Sequence, residues 1–324
     1  MLVIRFSSIG DIVLTTPVIR VLHQQLGAEV HLLTKRAFGQ VLAGNPYLSR
    51  IWTIEDKVSE VLVALRREGF TAIVDLHRNL RSTQVRWGLA RVSSYQFNKL
   101  NARKWLLTNL HLDYLPKMHI VDRYLAAAAP LGIEADGQGL DYFIAQEDQV
   151  NLAAMHLPAQ YLAFVIGAAH ATKCLPEARM RILCQSFPYP IVLIGGPAEA
   201  EFGERLAQAI GPKVHNTCGK MRLGQSASLV QQACCVLTHD TGMMHIAAAL
   251  QKPTVVIWGN TVPEFGMYPY NPAQSFPVDN FEVRGLSCRP CSKIGHDRCP
   301  KRHFRCMTEQ PINSIIGAVL RYFS

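Results

Sequence analysis

Short runs of Val, Ile and Leu alternate along this chain with longer amphipathic stretches, and that alternation limits the possible folds more than any other feature. Neighbouring parallel strands need a long crossover, usually a helix, so the pattern predicts an α/β protein with parallel sheets. Leu2 to Phe6, Glu29 to Thr34, Arg50 to Ile54 and Thr71 to Asp75 read as strands. Pro17 to Leu26, Val58 to Glu68 and His119 to Leu131 read as helices, with Pro17 near a helix start, where its missing N–H costs little.

The rhythm fades between Gly132 and Asp148 and then restarts. Tyr161 to Gly167, Ile191 to Ile194, Cys235 to Thr238 and Thr254 to Trp258 read as strands, and Glu177 to Ser186, Glu199 to Ile210, Leu223 to Ala233 and Met243 to Leu250 as helices. After Trp258 the regularity stops until a last helix, Pro311 to Tyr322. The 324 residues exceed what one core usually holds. Two doubly wound domains are therefore expected, 1–148 and 149–310, closed by a helical segment, 311–324. Such sheets bind ligands beyond the carboxyl ends of their strands, which makes a central cleft between the domains the expected site.

Lys plus Arg at 33 against Asp plus Glu at 24 gives a formal charge of +9, which favours anionic partners without naming them. With 8% aromatics, 22 Gly and 18 Pro and no repeat, the composition excludes disordered and collagen-like chains. No apolar run approaches the roughly 20 residues that span a bilayer. Arg5 and Asp11 interrupt the N-terminal apolar stretch before it resembles a secretory signal, and nine cysteines without framework spacing fit a reducing compartment, so a cytoplasmic location is expected.

Four segments carry candidate chemistry, each at the end of an expected strand. Ser7 to Pro17 forms a polar turn with Ser8, Gly10 and Asp11. There Asp11 reads either as a helix N-cap or as a carboxylate facing the crevice, suited to general base work. Thr238 to Ala249 places Asp240, Thr241 and Gly242 at a helix start with His245 in its first turn, either a plain capped helix or a diphosphate site. Gly167 to Glu177 offers Thr172 and Lys173, and Leu193 to Glu199 offers the Gly195-Gly196 turn followed by Glu199. Lys173 reads as a solvated loop lysine or a phosphate contact, and Glu199 as a first-turn helix acid or a ribose ligand.

In combination these segments resemble glycosyltransferase family 9, the ADP-heptose:lipopolysaccharide heptosyltransferases. The shared pattern is Gly-Asp-x-x-x-Thr-x-Pro, then Thr-Lys-x-x-Pro, Gly-Gly-Pro-x-Glu and Asp-Thr-Gly-x-x-His-x-Ala-Ala, in order over nearly the whole chain. The resemblance implies a GT-B architecture, two Rossmann-like domains facing a central cleft, the first holding the acceptor and the second the sugar nucleotide. It implies an inverting heptosyl transfer from an ADP-heptose-type donor to the inner core of lipopolysaccharide, with Asp11 as general base and Lys173 as a catalytic cation. The donor would meet Thr172, Lys173, Gly195, Gly196, Glu199, Asp240, Thr241, Gly242 and His245. No cofactor or metal is implied, so protein cations and a helix start would stabilise the leaving diphosphate.

From Leu76 to Leu112 there is no Asp or Glu, while Arg78, Arg81, Arg86, Arg91, Lys99, Arg103 and Lys104 fall inside that window. Solvated faces normally mix both signs. Asp75 to Ser82 also resembles a family segment on the acceptor side, so Ser8, Gly10, Arg78 and Arg81 are expected to hold an anionic glycolipid of the lipid A and Kdo type. The expected enzyme is a monomer in peripheral contact with the inner face of the inner membrane, and no nucleic acid is expected. Cys288, Cys291, Cys299 and Cys306, with His296 and His303 nearby, could hold zinc or remain reduced thiols packing a loop. Two other functions stay open on the sequence: a different GT-B nucleotide-sugar enzyme, such as an epimerase or a transferase of another sugar, and a zinc-stabilised nucleic-acid-binding protein.

Overall fold

The computed structural model describes residues 1–323 and divides them into two compact α/β units. The first comprises Met1–Leu100 and Lys117–Phe143, and the second comprises Asn101–Pro116 and the chain from Ile144 onward.

The first unit holds β1 (Leu2–Ile4), α1 (Ile9–Val13), α2 (Thr16–Leu26), β2 (His31–Lys35), β3 (Arg50–Ile54), α3 (Ser59–Arg67), β4 (Ala72–Asp75), α4 (Leu80–Gly88) and β5 (Ser93–Gln96). Next in the chain, α5 (Asn101–Leu110) belongs to the second unit, and α6 (Ile120–Ala128) returns to the first. All pairings are parallel, in the order β3-β2-β1-β4-β5. Leu2, Ile4, Leu33, Trp52, Ile54 and Ile73 form one core with Val85 and Leu89 from the covering α4 and the turn after it. Pro17 sits in the first turn of α2, and Gly27 ends that helix at φ 58°, a left-handed conformation that glycine adopts without strain.

The second unit continues with β6 (Leu162–Val165), α7 (Glu177–Ser186), β7 (Ile191–Ile194), α8 (Ala200–Ile210), β8 (Val214–Asn216), α9 (Leu223–Gln232), β9 (Cys235–His239), α10 (Gly242–Ala249), β10 (Thr254–Trp258), β11 (Val278–Glu282), α11 (Arg305–Thr308) and α12 (Ile312–Leu320). Its parallel sheet runs β11-β10-β9-β6-β7-β8.

The division differs from the sequence pattern in three places, the first being that residues 144–148 fall in the second unit. Residues 101–116 go with the second unit because Leu107 is buried against Val262 and Phe265, with Leu115 beside them. The C-terminal helix is no separate element, since Ile312, Ile315 and Val319 lie in the same core as Leu162, Phe164 and Leu193.

Candidate active site

In each sheet the chain builds outward in one direction from its first strand and then resumes on that strand's other side. This creates a switch point between β1 and β4 in the first unit and between β6 and β9 in the second. Loops leaving adjacent strands part there and open a crevice at the carboxyl ends, where ligands of doubly wound sheets bind. The candidate residues follow these strands: Ser8, Gly10 and Asp11 after β1, Arg78 and Arg81 after β4, Thr172 and Lys173 after β6, and Asp240 to His245 after β9.

At the first switch point Asp11 is the third residue of α1 and Ser8 is its cap, so the N-cap reading of Asp11 is corrected. Asp11 Oδ2 accepts the Ser8 N–H at 3.2 Å and the Ser8 hydroxyl at 3.0 Å, and Oδ1 pairs with the Arg5 guanidinium at 2.7 Å. Arg5 stands on the far side of the turn and is itself fixed. Its Nη1 donates to the Leu76 carbonyl at 2.6 Å and to the Tyr124 hydroxyl at 2.9 Å. Burial works to raise the Asp11 carboxyl, but the Arg5 charge and the two Ser8 bonds together outweigh it, leaving the group below its ordinary value. His77 packs edge-on against Phe6, and burial, then the Arg5 charge, pushes it down to about 3, which keeps it neutral.

Sequence reasoning missed Arg5, Tyr124 and His77 as parts of this constellation. The signal was present for Arg5, because an arginine closing an apolar strand run must find a partner if it is buried.

Arg78 and Arg81 diverge. Asp75, fully buried, accepts the N–H of His77 at 3.0 Å and of Arg78 at 2.7 Å, which holds Arg78 at φ 49° with an exposed side chain. Arg81 instead turns to Asp56, donating to its carbonyl at 2.9 Å and lying 3.4 Å from its carboxylate. Arg86 faces Asp75 at 3.3 Å. The acid-free window in the sequence is thus partly neutralised in space by acids from outside it.

At the second switch point Lys173 is no solvated loop lysine. Its Nζ lies 2.6 Å from Asp240 Oδ2, and that oxygen also accepts the Thr261 hydroxyl at 2.8 Å. Asp240 leads into α10, whose cap Thr241 makes no side-chain hydrogen bond to the helix, so no capping hydroxyl would compete with an anion for its first N–H groups. His245 lies inside the unit at 2% exposure, three residues after Gly242 in α10. Thr172 is buried as well, and its hydroxyl serves a structural purpose, accepting the His296 N–H at 2.8 Å and donating to the His296 carbonyl at 2.9 Å.

Glu199 closes the turn after β7, accepting the Gly196 N–H at 2.8 Å. A Cβ on Gly167 would stand 2.5 Å from Glu199 Cδ, and one on Gly195 2.8 Å from Glu199 Cβ and 2.9 Å from Cys218 Sγ. Those two glycines therefore let the acid lie across the ends of β6 and β7.

The four late cysteines are free thiols lining one small cavity with His303, Asn260 and Thr172, and Cys288 Sγ is 3.7 Å from His303 Nε2. Burial, then the neighbouring thiols, pushes the Cys306 thiol up to about 12. Among the described residues no three His, Cys, Asp or Glu side chains are arranged to hold a metal ion.

Two parallel sheets layered with helices, each carrying charged groups at its switch point, have the GT-B architecture of the glycosyltransferases. The chain belongs to glycosyltransferase family 9 (heptosyltransferase), whose family model matches residues 59–294. It is 26% identical over 288 residues to lipopolysaccharide heptosyltransferase 1 of Escherichia coli K12, covering 81% of this chain and 88% of that protein. The solved family 9 glycosyltransferase of Veillonella parvula superposes with a TM-score of 0.80 at 19% identity over 99% of this chain and 96% of that one. An E. coli heptosyltransferase solved with ADP gives 0.69 at 21% identity over 99% of both chains.

Proposed function

We propose that this glycosyltransferase moves a heptose, with inversion, from an ADP-heptose-type donor to the inner core of lipopolysaccharide. The observation that carries the reading is the Asp11 carboxylate at the first switch point, kept ionised by Arg5 and Ser8. The relatives' names support the choice of sugar and acceptor.

In the proposed step the acceptor hydroxyl oxygen attacks the anomeric carbon as its proton passes to Asp11. The bond from that carbon to the diphosphate oxygen breaks on the opposite face, and its electron pair leaves with ADP. A depressed carboxylate is a weak base toward a resting alcohol. It suffices here because the hydroxyl becomes strongly acidic only as the new C–O bond forms, and the base must be unprotonated at that moment. Lys173 and the start of α10 stabilise the charge that grows on the diphosphate, Glu199 holds the ribose, and Arg78 meets an anionic group of the acceptor.

Incubation with ADP-heptose and a lipid A–Kdo acceptor tests the reading directly. A heptosylated product supports it, and turnover of another nucleotide sugar with none of ADP-heptose sinks it in favour of a different GT-B enzyme. The role of Arg5 has its own pH signature. In R5Q the burial that raises Asp11 is no longer opposed by a guanidinium, so the carboxyl stays protonated to higher pH. The acid limb of kcat/KM should move upward, and an unmoved limb would show that Arg5 does not set the base.

A further inference from the structure

We propose that Cys288 and Cys291 form a dithiol redox site, oxidised by a low-molecular-weight disulfide, whose closure loosens the donor side of the second unit. The thiol chemistry stands apart from the proposed transfer, while its effect on ADP rests on reading the second switch point as the donor site. The two thiols lie three positions apart in Cys288-Arg289-Pro290-Cys291 and line the same small cavity as Cys299 and Cys306. Cys288 is the one placed to attack. It is half-buried, and exposed His303 stands against its sulfur. His303 Nδ1 accepts the Arg305 N–H at 3.1 Å, so the neutral ring carries its proton on Nε2 and presents it to Cys288 Sγ, 3.7 Å away. The Arg305 guanidinium also feels the charge of Cys288. An imidazole N–H and a guanidinium are groups that hold a thiolate's charge. Other thiols of the unit lack such company: burial pushes Cys291 up, Cys174 to about 11, and Cys184, Cys218 and Cys306 to about 12.

The Cys288 thiol gives its proton to solvent, and its sulfur attacks one sulfur of the small disulfide. That S–S bond breaks and one small thiolate leaves. Cys291, its own proton lost, then attacks the Cys288 sulfur and expels the second thiolate. Two cysteine thiols are oxidised by two electrons in all, and one small disulfide is reduced to two thiols that carry the two protons. The new bond closes a ring that contains Arg289, whose side chain is 7% exposed and donates to the Gly259 carbonyl at 2.6 Å and the Thr261 carbonyl at 2.9 Å. Thr261 in turn donates to Asp240, the partner of Lys173. A second route starts at Cys291 itself. Its carbonyl accepts from His296 Nε2 at 3.3 Å, and the His296 backbone holds the Thr172 hydroxyl next to Lys173. Moving residues 288–291 therefore disturbs both supports of the Lys173–Asp240 pair.

Glutathione disulfide added to the reduced full chain, followed by peptide mapping, tests the site. One internal bond, Cys288 to Cys291, is expected. C291S should stop at a glutathione adduct on Cys288, C288S should form neither product, and H303A should react about threefold or more slowly. Calorimetry should give at least about fivefold weaker ADP binding by oxidised wild type, restored by dithiothreitol. C288S, its fold checked by a melting curve, should bind ADP equally before and after the same treatment. The proposal is overturned if another thiol reacts first, if H303A reacts as fast as wild type, or if the protein with the Cys288–Cys291 bond binds ADP as the reduced protein does. It is also overturned if one metal ion per chain copurifies and shields all four thiols, which would make the cavity a metal centre. Reduced wild type that forms the bond but binds no ADP would uphold the dithiol chemistry and remove the donor-site reading beneath its effect.

Discussion

Asp11→Asn is expected to lower transfer by about three orders of magnitude, within the ~10²–10⁴ that a positioned general base contributes, while the affinity for the nucleotide sugar stays near that of wild type. The asparagine oxygen can still accept the Ser8 N–H that Asp11 now accepts at 3.2 Å, so the start of α1 has a means of surviving. What disappears is the basic lone pair and the partner of a nearly buried guanidinium. The lost ion pair leaves Arg5 with the Leu76 carbonyl and the Tyr124 hydroxyl, so some thermal stability should go as well. Single-turnover transfer and calorimetric donor binding, each beside a melting curve, separate these effects. Transfer within tenfold of wild type would reduce Asp11 to a helix-start residue.

Lys173→Ala is the second large effect, expected to lower turnover by about 10²–10³, the scale for removing one preorganised donor from a developing anion, and to weaken ADP binding. Two causes act together. The cation is lost, and Asp240 is left with Thr261 and an uncompensated charge at the start of α10, where a diphosphate would sit. The second cause can be isolated, because K173A/D240N removes the stranded carboxylate. The double variant should bind ADP more tightly than K173A alone, a coupling that a double-mutant cycle measures. ADP affinity in K173A equal to that of wild type would move the diphosphate elsewhere.

The interior of both sheets was legible in the sequence for a physical reason. A parallel strand covered on both faces is a nearly unbroken apolar run, so β7 and β10 coincide with the runs Ile191 to Ile194 and Thr254 to Trp258. Three strands that the pattern missed, β5, β8 and β11, lie at sheet edges. There Ser93-Ser94-Tyr95-Gln96 and Val278-Asp279-Asn280-Phe281-Glu282 keep polar groups that water can reach. α4 and α5 were missed because exposed Leu80, Trp87 and Trp105 break the helical alternation that a half-buried helix shows.

The same division holds for the candidate site. Strand ends and glycine turns announce Asp11, Lys173, Asp240 and Glu199, because these sit where chain direction changes. The partners that tune them come from far along the chain, Arg5 reaching Tyr124 and Asp240 reaching Thr261, and no local spacing encodes that. His245 and Thr172 show the converse, motif residues whose side chains turn inward.

The placement of residues 101–116 with the second unit bears on how this enzyme can be dissected. No single cut in the chain yields both units whole. A fragment ending near Phe143 would carry α5 away from Val262 and Phe265 and leave Leu107 uncovered, and the complementary fragment would show the bare patch beneath it. Chimeras that exchange the first unit between relatives should therefore be spliced at three junctions, near 100, 116 and 143, so that α5 stays with the half it packs against.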